Sequence, residues 1–456
     1  MEKYSKFWFE GSDYILDENK EKLIVSLKYS LDKQIYFTEK LILPVNFAGR
    51  SGQTGMAFDR ALQALAVIGG ISYYKTCLPR EMAGLELNSE QADFWKKVYE
   101  RGLGEFFYQN KIDFPGIINF KPSAIVEANL PTENSSRSGA LVALGGGKDS
   151  IVTAEILKNA GEDFYTFSLR DSAPIRETAE IVGVPRLVVD RQLDAKLFEL
   201  NAQGALNGHV PITAYISALM SLCAIYYGFS EVIMSLEKSS NYGQFIYLGM
   251  DINHQYSKSE EFEGDFRNYL KKYVDADLNY FSLLRRFDEL KICQVFTGLD
   301  NFDSYAPVFA SCNRNFKING EKPVSKWCGE CPKCAFVYLC MAPFLDKEKL
   351  VRIFGQDLLD KADLAHLFAE ILGLEKYKPF ECVGTPEESL AAIYMTSLKM
   401  DYSESLLIKK FIGEWKDLVE NQSNFVGWEN LKNNSLKLKT GGYFTEKWEK
   451  LIMQYE

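Results

Sequence analysis

Along residues 4–44 polar and apolar positions alternate, interrupted by the turn signal Leu16-Asp17-Glu18-Asn19. Successive side chains of a strand point to opposite faces, so a period of two predicts a β-hairpin or meander with one buried face. Over residues 57–78 the apolar spacing lengthens to the helical period, and Asn88-Ser89-Glu90 offers a cap for a further helix through Phe94, Val98 and Leu103. Residues 1–131 are therefore expected to form a β plus α N-terminal domain. The polar run from Pro131 to Ser138 has loop composition and predicts a linker.

Beyond it the pattern changes. Short apolar runs at residues 141–144, 164–167, 187–189 and 231–235 alternate with helical stretches at 151–159 and 175–182. Strands separated by single helices predict βαβ units, and a parallel sheet of this kind must be covered on both faces. The expected class is α/β, a doubly wound parallel sheet over residues 138–345, with a β-rich N-terminal portion. Residues 346–456 read as amphipathic helices and predict a helical C-terminal region. No internal repeat and no low-complexity tract is present.

A chain of 456 residues with 46% hydrophobic and 25% charged residues has enough apolar surface for two to three buried cores, which argues against extended disorder. Lysine plus arginine number 52 against 62 acidic residues, a net charge of −10. No whole-chain positive field is available to collect phosphate backbones, so no nucleic-acid partner is expected. No apolar run approaches the roughly 20 residues that span a bilayer, and the first residues lead into no signal-peptide core. No membrane partner is expected, and a cytoplasmic location is; the sequence points to no protein partner. Nine cysteines, three of them crowded at Cys328, Cys331 and Cys334, are unlike a secreted disulfide framework.

The strongest chemical signal is the apolar run 141–144 followed by Gly145-Gly146-Gly147-Lys148-Asp149-Ser150 and a helical stretch. Glycines at a strand-to-helix turn let backbone N–H groups approach an anion, and the helix N-terminus adds partial positive charge. The spacing fits neither a Walker A loop nor G-x-G-x-x-G. It resembles the PP-loop of the ATP pyrophosphatases, Ser-Gly-Gly-x-Asp-Ser, with Gly145 in the first serine position. The resemblance implies a PP-loop (HUP-like) fold and an enzyme that splits ATP between its α and β phosphates. Gly146, Gly147 and Ser150 would cradle the diphosphate, Asp149 would help place Mg2+, and Lys148 could compensate for the hydroxyl missing at Gly145. A tight glycine turn with no ligand is the alternative. Arg170, in Ser168-Leu169-Arg170-Asp171, and Arg176 could contact a substrate anion or lie solvated at the surface.

Cys312 and the run Cys328-Gly329-Glu330-Cys331-Pro332-Lys333-Cys334 supply a second signal. C-x2-C-x2-C with a fourth cysteine upstream could close a tetrahedral thiolate site for structural Zn2+. A similar arrangement binds zinc in the PP-loop enzymes that make 7-cyano-7-deazaguanine. Iron–sulfur ligation, or plain burial of the thiols in the following helix, are the alternatives. Of three histidines, His209 opens a helix after a turn and His254 sits in a polar loop, places where loops at a sheet edge build sites, whereas His366 lies on an ordinary amphipathic helix.

Taken in order, Ile71-Ser72-Tyr73-Tyr74-Lys75, the loop 145–150, Gly208-His209-Val210-Pro211-Ile212-Thr213-Ala214, Asn253-His254-Gln255-Tyr256-Ser257-Lys258-Ser259, the cysteine run and Glu381-Cys382-Val383-Gly384-Thr385 resemble the MurL family over nearly the whole chain. These are UDP-N-acetyl-α-D-muramoyl-L-alanyl-L-glutamate epimerases. The resemblance implies ATP and Mg2+ as cofactors and a UDP-linked muramoyl dipeptide as substrate, in peptidoglycan synthesis. It also implies that the terminal L-glutamate is inverted after adenylation of its carboxylate. A free carboxylate resists loss of the adjacent Cα proton because a second negative charge would build on the same group; adenylation removes that charge. Two proton carriers must then flank one carbon. Lys75, Lys148, His209, His254 and Cys334 are chemically capable, with His209 and His254 favoured and Lys148 and Asp149 at the nucleotide. Arg170 or Arg314 could hold the UDP phosphates or the side-chain carboxylate. The competing function is a PP-loop enzyme that adenylates a nucleobase or tRNA. The stretch 381–385 either closes over the site or turns between helices.

Overall fold

The computed structural model describes residues 4–17, 19, 21–123, 137–316, 325–375 and 377–456. Nine strands form one sheet: β1 (Lys6–Asp17), β2 (Lys22–Leu31), β3 (Ile35–Pro44), β4 (Glu81–Ala83), β5 (Ala140–Ala143), β6 (Phe164–Leu169), β7 (Arg186–Gln192), β8 (Glu231–Met234) and β9 (Asn279–Ser282), in the order β9-β8-β5-β6-β7-β3-β2-β1-β4. The expected meander is β1–β3, antiparallel throughout. Its period of two is plain in β2, where Leu23, Val25, Leu27, Tyr29 and Leu31 are all fully buried. Part of the turn at 16–19, and residues 131–136 of the expected linker, lie outside the described residues.

β5, β6, β7, β8 and β9 run parallel, and β5 has β6 on one side and β8 on the other. The chain thus reverses its direction of travel across the sheet at β5, which places the loop after β5 at a topological switch point, where open α/β sheets bind ligands. The meander joins this parallel half directly, with Leu41 of β3 opposite Arg191 of β7. At that seam the buried Glu39 carboxylate accepts from Arg191 Nε at 2.8 Å and Nη2 at 3.0 Å, and from the Tyr215 hydroxyl at 2.6 Å.

Alternate residues of the central strands feed two cores. Leu141, Val232 and Met234 face one, with helices α1 (Met56–Tyr74), α2 (Ser89–Gly102) and α3 (Gly104–Gln109); Ala140, Val142 and Ile233 face the other, with α4 (Lys148–Asn159). Helix α5 (Ile212–Tyr227) packs between the sheet and α1 and is buried nearly all round. Helix α1 stops short of residue 78, where Leu78 takes φ +49° ahead of Pro79.

After β9 the described chain is helical. Helices α6 (Glu289–Thr297), α7 (Pro332–Met341), α8 (Pro386–Ser397) and α9 (Glu446–Ile452) belong to the second core. The C-terminal region packs back onto the sheet: the Trp448 indole N–H donates to Glu231 Oε1 at 2.9 Å, and its ring lies 5.7 Å from that of Phe281 in β9. Among the described residues, no helix is long and apolar enough to cross a membrane.

Candidate active site

After Ala143 the chain turns through the three glycines and enters α4 at Lys148. Gly146 has φ +78°, and a Cβ there would lie 3.2 Å from the backbone of Pro174 and Ile175. Gly145 is different, with nothing within 4 Å of its Cβ position. Ser150 Oγ accepts from the Gly145 N–H at 3.3 Å and donates to the Gly147 carbonyl at 2.9 Å, so one side chain holds both ends of the turn. The Ala310 N–H donates to the Gly146 carbonyl at 3.0 Å and braces the loop from outside. The result is a backbone cradle at the start of a helix, suited to an anion.

Lys148 turns back into the protein. Its fully buried ammonium pairs with Glu289 and Asp149, and burial, which works against the charge, is outweighed by these carboxylates, so it titrates well above the usual lysine range. Glu289 also accepts from Lys333 Nζ at 3.1 Å. Carboxylate oxygens of Asp149, Glu237 and Glu289 lie within 4.8 Å of one another.

A cleft of about 510 Å³ opens above the loop, within the range of small-molecule sites. Gly145, Gly147, Asp149 and Ser150 form its floor, and Arg170, Lys258, Lys333 and Cys382 its polar wall. Arg170 has φ +70°, and its N–H donates to Val189 O at 2.9 Å, which fixes the chain where it leaves β6.

Behind Cys382 stands a polar chain built from three loops and helix α3. The His254 ring is hydrogen-bonded to Glu105, and His209 Nδ1 lies 3.5 Å from the same Glu105 carboxylate. The two imidazoles are 4.5 Å apart. Burial disfavours the imidazolium of His254, but Cys382 and Glu105 outweigh it and bring it up to about 10. Burial, then the charges of His254 and Lys258, push His209 well below the ordinary histidine value, so it stays neutral. Burial also opposes the Cys382 thiolate, yet Lys258, His254 and Lys333 draw the thiol down to about 5. A thiolate and an imidazolium therefore coexist across neutral pH. The loop that carries Cys382 is fastened by the Val383 carbonyl, which accepts from Lys378 Nζ at 3.0 Å and Gln255 Nε2 at 3.2 Å.

The sulfur atoms of Cys312, Cys328, Cys331 and Cys334 all lie within 4.8 Å of one another. Cys334 is 3.4 Å from Cys331 and 3.7 Å from Cys328, far beyond a disulfide bond. Two thiolates on a tetrahedral zinc at ~2.3 Å stand roughly 3.8 Å apart, so this donor set fits the metal. The knuckle also braces the cleft: Asn313, next to Cys312, hydrogen-bonds Glu381, which precedes Cys382.

Of the residues singled out in the sequence, Gly145, Gly147, Asp149, Ser150 and Arg170 line one cleft, with Gly146 in the loop beneath it. His209 and His254 come together one layer behind its wall, and the four cysteines cluster nearby. Arg314 is not among the lining residues; it pairs with Glu330 at 2.7 Å near the cysteines. Arg176 pairs with Asp171 at 2.5 Å, Lys75 Nζ donates to Asn207 Oδ1 at 2.6 Å, and His366 is exposed beside Glu370. Sequence reasoning assigned no role to Lys258, Lys333 or Cys382, although each lies inside a quoted motif, and it passed over Glu105, Glu237 and Glu289. A lysine between two cysteines or within a His-Gln-Tyr-Ser loop was the available signal.

Fold and site define a mixed α/β protein whose glycine-rich strand-to-helix loop faces a polar cleft with a cysteine–histidine–glutamate chain at its far side. Family models for the MurL N-terminal domain and the MurL C-terminal domain match residues 1–283 and 308–425. The chain belongs to the MurL family. Three proteins named UDP-N-acetyl-alpha-D-muramoyl-L-alanyl-L-glutamate epimerase are similar to it. That of Xanthomonas oryzae pv. oryzae (strain MAFF 311018) is 41% identical over 85% of this chain and 86% of its own. That of Salinispora tropica is 37% identical over 84% and 82%, and that of Micromonospora sp. (strain ATCC 39149) 36% identical over 84% of each. No solved structure matches.

Proposed function

We propose that the protein inverts the terminal L-glutamate of UDP-N-acetylmuramoyl-L-alanyl-L-glutamate to D-glutamate, consuming ATP by adenylation of the glutamate carboxylate and releasing AMP and diphosphate. The names of the relatives support the substrate and the inversion. The observation that carries the use of ATP is the single cleft, which joins the glycine cradle to a wall of Arg170, Lys258, Lys333 and Cys382. The order of the parallel strands, with the cradle at the switch point, supports assignment to the PP-loop superfamily.

In this reading the backbone N–H groups at the start of α4 and the Ser150 hydroxyl hold the diphosphate, and Lys258 and Lys333 offset its charge. Asp149, Glu237 and Glu289 offer the oxygen donors that Mg2+ prefers, and when bound it would neutralise phosphate charge. With the carboxylate masked as a mixed anhydride, loss of the Cα proton builds only one negative charge, on the acyl oxygen. Return of a proton to the opposite face and hydrolysis complete the inversion. Incubation with ATP, Mg2+ and the L-glutamyl substrate is expected to yield AMP and D-glutamate together; neither product from folded protein would overturn the reading.

The four cysteines would hold a structural Zn2+ that fixes the 310–315 and 381–385 stretches around the cleft. Metal analysis is expected to find one zinc per chain, lost in Cys331→Ala, with a lowered unfolding temperature. A metal-free protein of full stability would leave the cysteines as ordinary buried thiols.

A further inference from the structure

The described chain holds a cysteine whose surroundings differ from those of its other buried thiols. Cys223 is packed among apolar side chains, and burial alone pushes its thiol far up. Cys382 instead lines the cleft together with Lys258 and Lys333, and the charges of Lys258 and His254 favour its thiolate. His254 is in turn held by Glu105. This order, sulfur to imidazole to carboxylate, is the arrangement by which proteins stabilise a reactive thiolate.

Position adds to chemistry. The same cleft carries Gly145, Asp149 and Ser150 on its floor, so a carboxyl activated there has its Cα within the cleft that Cys382 faces. The loop that bears the sulfur is pinned at Val383 by Lys378 and Gln255 and at Glu381 by Asn313. A proton carrier must be held in place relative to the reacting carbon, and these contacts anchor the loop on both sides of the sulfur. The charged groups facing the sulfur are Lys258, His254, Lys333, Lys378 and Glu381, four potential cations against one carboxyl.

We propose that Cys382 is one of the two proton carriers of the epimerisation, with His254 and Lys258 as its positioning residues; this rests on the reading of the protein as an ATP-consuming epimerase. In the L-to-D direction the Cys382 thiolate takes the Cα proton. The S–H bond forms as the Cα–H bond breaks, and the freed electron pair moves into the activated carboxyl as an enolate. That pair then forms a new Cα–H bond with a proton from an acid on the opposite face. The thiol returns its proton to water and the second group regains one, so no net proton, oxidant or reductant is required. His254 and Glu105 keep the sulfur ionised between turnovers and take no part in the adenylation.

The test splits the two halves of the reaction. Wild type and Cys382→Ser are given ATP, Mg2+ and the L-glutamyl substrate in D2O; the diphosphate burst, deuterium at Cα and D-glutamate are measured. The serine variant is expected to keep a burst of about one equivalent per chain while D-glutamate falls by 10²–10⁴-fold. Unchanged D-glutamate overturns the proposal, as does joint loss of burst and D-glutamate from a folded variant. A wild type that forms no D-glutamate fails the epimerase reading instead. A second measurement decides the thiol independently: iodoacetamide at pH 6–8, read by peptide mass, is expected to label Cys382 well ahead of Cys223, at a rate nearly flat with pH and slowed in His254→Asn. Labelling of Cys382 no faster than Cys223, or rising tenfold per pH unit, overturns it.

Discussion

Arg285→Ala is expected to be the most destabilising single substitution in the parallel half, costing about 3–5 kcal/mol in chemical denaturation, because it strands a buried carboxylate. Arg285 and Glu263 are both fully buried, and the guanidinium meets Glu263 Oε2 at 2.8 Å through Nε and at 2.7 Å through Nη2. It also donates to the carbonyls of Glu237 at 2.7 Å and Lys258 at 2.8 Å, and to Ser240 Oγ at 3.2 Å. One side chain thus ties the helix that carries Glu263 to the segments at 237–240 and 258, and its loss leaves Glu263 Oε2 buried without its donor, while Ser240 Oγ still reaches the carbonyls of Glu237 and Lys258. Because the Lys258 carbonyl is one of these acceptors and Lys258 lines the cleft, kcat should fall with stability. Removing both partners together, Arg285→Met with Glu263→Leu, is expected to recover much of the stability but less of the activity, since the guanidinium no longer helps Ser240 Oγ hold the carbonyls of 237 and 258. A small stability change in Arg285→Ala alone would show that water reaches the pair.

The second large effect is expected at the glycine loop. Gly146→Ala forces an L side chain to φ +78° and sets its Cβ 3.2 Å from the rigid backbone of Pro174 and Ile175. The left-handed conformation alone costs roughly 1–2 kcal/mol, and since the neighbouring atoms are backbone, relief must come from shifting the loop. A shift of about 1 Å at a positioning element costs on the order of 10²-fold in rate, so AMP formation should drop at least that far while the fold persists. The contrast is Gly145→Ser one residue earlier. Its Cβ meets nothing within 4 Å and its backbone lies outside the left-handed region, so fold stability should be unchanged. The added hydroxyl supplies the donor that the resembling loop carries there, and KM for ATP should fall. Equal losses in the two variants would show that the loop does not hold the nucleotide.

The sequence was informative where a local rule is strict. The alternation in β2, the strand–glycine–helix step at residues 140–150 and the C-x2-C-x2-C run each follow from geometry that a few neighbouring residues impose, and each appears where expected. β4 and β9 went unread because three or four residues with mixed polarity carry no period; Asn279–Ser282 becomes a strand only by pairing with β8. The expected division at residues 131–138 reflects composition alone. It says nothing of pairing across it, and β3 in fact hydrogen-bonds to β7 on its far side.

For the site the same boundary applies. Residue type and order along the chain determined that a glycine cradle, a cysteine knuckle and two loop histidines exist, because these motifs are written in adjacent residues. Which side chain faces the cleft was decided only by folding. Lys148 follows the glycines yet points back to Glu289, 141 residues away, since a buried ammonium needs a carboxylate and α6 supplies one there. His254 sits behind Cys382, 128 residues further along, because Glu105 in α3 draws the imidazole inward and leaves the sulfur at the surface of the cleft. Sequence fixes what each group can do; charge pairing across distant elements, forced by burial, fixes which of them meets the substrate.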